Sequence, residues 1–118
     1  MGKVVSTRQA PNPIGPYSQA VRGGRCQIPV DPDTQQIIDG DVRQQTEPCW
    51  RIFAEILEAA GSGMSKVVRC GVFMKNMSDF EAMNEVFGKT FGPRPPARTT
   101  VEAARLPKDS LLESDAIA

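Results

Sequence analysis

The residue in this sequence best placed to do chemistry is an arginine that opens a strand-like run. Ala97 to Ala103 alternates, with Arg98, Thr100 and Glu102 on one side, and Pro95-Pro96 ahead of it disfavours helix. A guanidinium there is costly if buried alone, so it must meet an anion, a carboxylate of the chain, or water. Its planar fork suits bidentate capture of a small carboxylate. The competing reading is a structural salt bridge to Glu102 or Glu113. Glu113 falls in a last strand, Leu111 to Ala118, which two short turns would bring near Arg98. With no His in the chain, a carboxylate is the natural group to orient or deprotonate a water. The plainer alternative for Glu113 is a solvent-facing strand position. Tyr17, the only tyrosine, follows Gly15-Pro16, and its alternative is core packing with the hydroxyl at the surface.

What is missing narrows the chemistry further. Without His there is no His-containing triad, no His general base and no His metal site. The three cysteines, Cys26, Cys49 and Cys70, are odd in number and widely spaced, so neither a zinc cage nor a disulfide framework is expected, and a reducing, cytoplasmic compartment fits. Fourteen basic and fourteen acidic residues give zero formal charge, which argues against nucleic-acid or anionic-membrane binding as the main task. No apolar run approaches a membrane span, and Met1 to Ser6 has no signal-peptide core. Gly61-Ser62-Gly63-Met64-Ser65-Lys66 superficially resembles a phosphate loop, but a helix precedes it and a strand follows, the reverse of what such loops need. It reads as a helix cap and turn. Pro93-Arg94-Pro95-Pro96 reads as a stiff lead into the Arg98 strand rather than a ligand for a partner domain.

The elements that must position these residues follow from spacing. At 118 residues the chain is expected to form one domain, 1–118, with a core of its own. Its first third is broken by Gly and Pro into short extended pieces, with Val4-Val5, Tyr17 to Val21 and Gln35 to Ile38 as candidate strands. Cys49, Trp50, Phe53, Ile56, Leu57 and Ala60 mark a helix that Gly61 stops. Its start is open: Asp41 and Gln44 form a capping-box pattern, but a helix from there carries Pro48 inside, and Thr46 could cap a shorter one. Val67 to Met74 reads as a strand. Ser78 to Glu81 reads as a capping box opening a second helix, whose stripe is Phe80, Met83, Phe87 and Phe91, ended by Gly92-Pro93. Strands, helix, strand, helix, strand, strand make an α+β domain, with two helices covering one face of a mixed sheet.

Three segments together resemble the RidA (YjgF) family of enamine/imine deaminases. They are Ala10-Pro11 with Ile14 to Val21, then Gln27 to Pro32, then Pro95 to Glu102 continuing through Arg105-Leu106-Pro107-Lys108-Asp109. Glu58 to Gly61 and Asp79 to Phe87 fit between them in order. The resemblance implies a chorismate-mutase-like fold, a homotrimer with active sites in the clefts between subunits, and no metal or organic cofactor. The implied reaction is hydrolysis of 2-aminoacrylate-type enamines and 2-imino acids, such as 2-iminopropanoate and 2-iminobutanoate, to 2-keto acids and ammonia. By position, Arg98 would grip the substrate carboxylate and Glu113 would orient the attacking water. Thr100 would add backbone or hydroxyl contacts, and Tyr17 and Asn84 would shape the pocket.

The resemblance has departures. Gly23-Gly24-Arg25-Cys26 runs straight into Gln27, which reads as the loss of about one strand of the family pattern, with Arg25-Cys26 where the family has Ser-Gly. Ser114-Asp115 stand where an apolar residue and Glu are usual. A family member that binds small carboxylates or a protein partner without turnover is the alternative those departures suggest. A ribonuclease or translation-inhibitor role is a third, opposed by the zero charge and the missing His.

Overall fold

A computed structural model describes residues 3–15, 18, 20–21 and 24–118. Its frame is a six-stranded sheet with two α-helices on one face. In chain order the strands are β1 (Val4–Val5), β2 (Ala20–Val21), β3 (Gly24–Gln27), β4 (Arg69–Met74), β5 (Ala97–Glu102) and β6 (Leu112–Ile117), and they lie in the order β1-β2-β3-β6-β4-β5. Only β4 and β5 are parallel; every other neighbouring pair is antiparallel, so the sheet is mixed. The parallel pair is joined through the helix α2 (Phe80–Phe91), as parallel strands require a crossover. The helix α1 (Val42–Ala59) fills the connection from β3 to β4.

Strand alternation divides the sheet into a covered and an open face. Cys70, Val72 and Met74 of β4 and Leu112, Ser114 and Ala116 of β6 are buried toward the helices. Against them pack Cys49, Trp50, Phe53 and Leu57 of α1 and Met83 and Phe87 of α2. Trp50 stacks on Phe53 at 5.2 Å between ring centroids and meets Phe87 edge-on at 5.6 Å, which joins the two helices. On the open face stand Arg69, Phe73, Val101, Glu113, Asp115 and Ile117. Val101 and Ile117 are exposed.

The start of α1, open from spacing alone, lies at Asp41. Its Oδ1 accepts the Gln44 N–H (3.0 Å) while Gln44 Oε1 accepts the Asp41 N–H (2.8 Å), a closed capping box. Gly40 makes the box possible: its φ is +128°, and a Cβ there would stand 2.7 Å from Gln44 Cβ. Pro48 is accepted inside the helix, where it is buried among the core residues of α1. Gly61 ends the helix as expected. With φ +76°, it lets Ser62 N–H reach the Leu57 carbonyl (2.8 Å) and Gly61 N–H reach that of Glu58 (2.9 Å). The Gly61–Lys66 stretch is thus a cap followed by a 3-10 turn, Met64–Lys66.

Three expectations need correction. The capping box at Ser78 to Glu81 does not form: Ser78 is itself inside a 3-10 turn, Met77–Asp79, that leads into α2, and Asp79, which stands at the cap position with φ −87° and ψ 3°, makes no side-chain cap bond. Gln35 to Ile38 is no strand; a single bridge, Val30 to Ile37, closes a tight loop in which Gln35 takes φ +59°. The strand expected to be missing is present in short form. β3 pairs with β2 through Arg25 and Gly24, and with β6 through Arg25, Cys26 and Gln27, so its ladder partners are kept although the hairpin is contracted.

Ser114-Asp115 close on one glycine. Ser114 Oγ–H donates to the Gly71 carbonyl (2.7 Å), and the Gly71 N–H donates to Asp115 Oδ1 (2.7 Å). A Cβ on Gly71 would stand 3.1 Å from Asp115 Cγ and closer still to Oδ1. Gly71→Ala should therefore push the carboxylate off its N–H donor and lower stability by about 1–2 kcal/mol, read as a lower urea midpoint with unchanged slope. An unchanged midpoint would show that Asp115 gives way freely.

Candidate functional site

β5 is an edge strand, and alternation points Arg98, Thr100 and Glu102 toward α2. The Arg98 guanidinium lies over two aromatic rings of that helix, 4.4 Å from the Phe87 centroid and 5.4 Å from that of Phe80. Phe80 and Phe87 are seven residues apart on one helical stripe, and Asn84 stands between them at i+4. Arg98, Phe80 and Phe87 therefore form one cluster, with exposed Asn84 on the adjoining part of the helix surface. Thr100 sits two residues further along the same face of β5, and its buried Oγ1 has no hydrogen-bond partner among the described residues.

No carboxylate among the described residues forms a salt bridge with Arg98. Partial burial pushes its guanidinium below the ordinary value, and the neighbouring Cys70, its register partner on β4, acts weakly the other way. An arginine stays protonated through such a shift. The result is a half-buried cation on an aromatic bed, with its hydrogen-bonding fork not taken up by an internal acid. Such a group binds small anions, planar carboxylates above all.

The structural salt bridge weighed for Arg98 is absent for two separate reasons. Glu102 is engaged elsewhere: its Oε1 accepts the Met77 N–H at 2.8 Å. Glu113 lies on the other face of the sheet. It is half-buried and pairs in register with Phe73, which pairs in turn with Val101, three residues along β5 from Arg98. Two strand spacings across and three residues along put the backbones of Arg98 and Glu113 about 10 Å apart in each direction, with side chains on opposite sides. The expectation that short turns would bring the two together within one chain is thus overturned. Alternation and register set the face of each, and they set opposite faces.

Of the residues expected at the site, Arg98 and Thr100 share one face of β5, Asn84 lies on α2 one turn from Phe80, and Glu113 stands on the opposite face of the sheet. Tyr17 lies outside the described residues. The aromatic bed was not anticipated as part of the site, since Phe80 and Phe87 read as core stripe. Their spacing opposite a strand arginine was the available signal. An open cavity of about 540 Å³, lined by Met77, Ser78, Phe80 and Glu81, adjoins the bed at the start of α2. Among the described residues no cluster of His, Cys, Asp and Glu could hold a metal ion, and no helix is long and apolar enough to cross a membrane.

Comparison with known proteins bears on what such a site does. Residues 7–118 match the family model described as endoribonuclease L-PSP. A RutC family protein of Pyrococcus horikoshii is 47% identical over 123 residues, covering 100% of this chain and 98% of its own. The human 2-iminobutanoate/2-iminopropanoate deaminase is 38% identical, covering 98% of this chain and 88% of its own. Among solved structures, Escherichia coli TdcF with bound serine superposes with a TM-score of 0.88 at 36% identity, covering 98% of this chain and 97% of that one.

Proposed function

The chain belongs to the endoribonuclease L-PSP family, the family of RidA, YjgF and RutC proteins, and from that premise we propose that it is a 2-imino acid deaminase. The observation that carries this reading is the Arg98 fork, held on Phe80 and Phe87 and paired with no carboxylate among the described residues. A small α-substituted carboxylate fits that fork. The serine bound to TdcF is a compound of the same class, held by a protein of closely similar fold.

The reaction follows from the substrate. A protonated 2-imino acid carries an anionic carboxylate beside an electrophilic C=N carbon. Arg98 binds the carboxylate in bidentate fashion and fixes the carbon in space. Glu113 accepts a hydrogen bond from a water and takes its proton as the oxygen adds to that carbon. Glu113 returns that proton to the nitrogen of the resulting carbinolamine, the C–N bond breaks as the hydroxyl gives up its own proton, and the 2-keto acid forms while the nitrogen leaves as ammonia, protonated to ammonium. Enamines enter after tautomerising to the imine. Thr100 contributes its hydroxyl or backbone, and Asn84 and Tyr17 line the pocket around the substrate. No step requires a metal or organic cofactor.

Because Arg98 and Glu113 face opposite sides of one sheet, this chemistry needs a second copy of the chain. The open face that bears Glu113 also exposes Val101 and Ile117, apolar surface that a neighbouring subunit would bury. We assign the assembly as a homotrimer with sites between subunits and a chorismate-mutase-like fold. The ribonuclease reading carried by the family description is disfavoured by zero net charge and the absence of His.

The direct test generates 2-iminopropanoate in situ with an amino-acid oxidase while semicarbazide competes for the imine. The protein should speed formation of the 2-keto acid and suppress the semicarbazone. If it remains folded and assembled and yet leaves the semicarbazone yield unchanged, it is not a deaminase of this substrate.

A further inference from the structure

Glu102 stands four residues beyond Arg98 on β5 and on the same face, about 13 Å away at the rise of a strand. Its Oε1 accepts the N–H of Met77, first residue of the 3-10 turn that leads into α2. That turn has no capping side chain of its own: neither Asn76 nor Asp79 makes a side-chain cap bond. A side chain brought from β5 supplies what is missing, by accepting one of the N–H groups that the start of the helical segment leaves open. The far end of the contact is the Arg98 guanidinium over Phe87. The helix α2 is thus held against the edge strand at two places, Glu102 to Met77 and Arg98 to Phe80 and Phe87, with Thr100 between them.

We propose that Glu102 is a positioning residue for the carboxylate site. By accepting the Met77 N–H it fixes where α2 begins, and so where Phe80 lies against the Arg98 fork. This role rests on the carboxylate-binding reading given above. Glu102 is exposed, so its loss leaves the core intact and acts on the placement of the turn.

The test compares wild type, Glu102→Ala and Glu102→Gln in 2-oxobutanoate affinity and in hydrogen exchange at the Met77 amide. Glu102→Ala should weaken binding roughly tenfold and speed Met77 exchange by a similar factor, the scale of one N–H left without its acceptor. In turnover the same change should appear in KM, with kcat altered less than about twofold. Glu102→Gln keeps an acceptor oxygen on the same stem and should stay within about twofold of wild type on both readouts. Wild-type affinity in Glu102→Ala would overturn the proposal. So would a Glu102→Gln variant as weak as Glu102→Ala, or one that binds tighter than wild type, since either would assign the effect to charge. A wild-type protein that fails to bind 2-oxobutanoate would overturn the carboxylate reading itself, and Met77 exchange would then report only a fold contact.

Discussion

Arg98→Ala should abolish measurable binding of 2-oxobutanoate and lower the rate of imine hydrolysis by about two to three orders of magnitude, while leaving the fold and the assembly in place. The size follows from what is removed. A bidentate guanidinium–carboxylate contact in a partly dehydrated site is worth about 3–4 kcal/mol in the bound state, and each 1.4 kcal/mol is tenfold. The fold loses much less. Arg98 forms no salt bridge among the described residues, so its removal strands no buried acid, and the cation–π contact with Phe80 and Phe87 is worth about 0.5–2 kcal/mol. Arg98→Lys should fall between, since an ammonium keeps the charge and loses the planar fork. The checks are calorimetric titration with 2-oxobutanoate, competition with semicarbazide, and thermal unfolding of the same samples. An Arg98→Ala protein that unfolds would return the residue to a structural role. One that still clears imine would remove it from the site.

Which parts of this arrangement the sequence disclosed depends on the range of the interaction that decides each. Short-range rules reached far: Gly61 ends α1 because a left-handed residue closes two backbone bonds, and that follows from its place after an apolar stripe. The same rules failed where a distant partner intervened. Ser78 has the spacing of a capping box, yet the turn before α2 is satisfied by Glu102 from β5, a choice that no window of four residues contains. Set against the family pattern, Gly23 to Cys26 reads as the loss of a strand. What β3 needs is partners, and β2 and β6 supply them. Register decided the site. Arg98 and Glu113 are both strand residues of the right chemical types, but their faces depend on how β5 and β6 align through β4, which spacing within either strand does not specify. The Ser114-Asp115 departure from the family pattern likewise makes sense only with Gly71 between the two side chains.

That opposed placement yields the sharpest test of the assembly. Arg98→Ala and Glu113→Gln should each be inactive alone, and refolding an equal mixture of the two should restore activity. One chain cannot bring its own Arg98 and Glu113 onto one imino acid, because they lie on opposite faces of the sheet and about 10 Å apart in each direction within it. On the proposed reaction, a working site takes Arg98 from one subunit and Glu113 from its neighbour. In a closed ring of randomly mixed subunits, each interface joins a chain with intact Arg98 to one with intact Glu113 about one time in four, so the mixture should recover up to about a quarter of wild-type activity. Glu113→Gln should lower turnover by about two to four orders of magnitude on its own, the usual span for a positioned base, and should retain 2-oxobutanoate because the Arg98 fork is untouched. Recovery in the mixture requires only that the two lesions reside in different chains. If mass spectrometry shows mixed assemblies while activity stays at the level of the separate variants, the two residues do not meet across an interface. Catalysis would then have to be sought with Arg98 and a different base on the helix-facing side of β5.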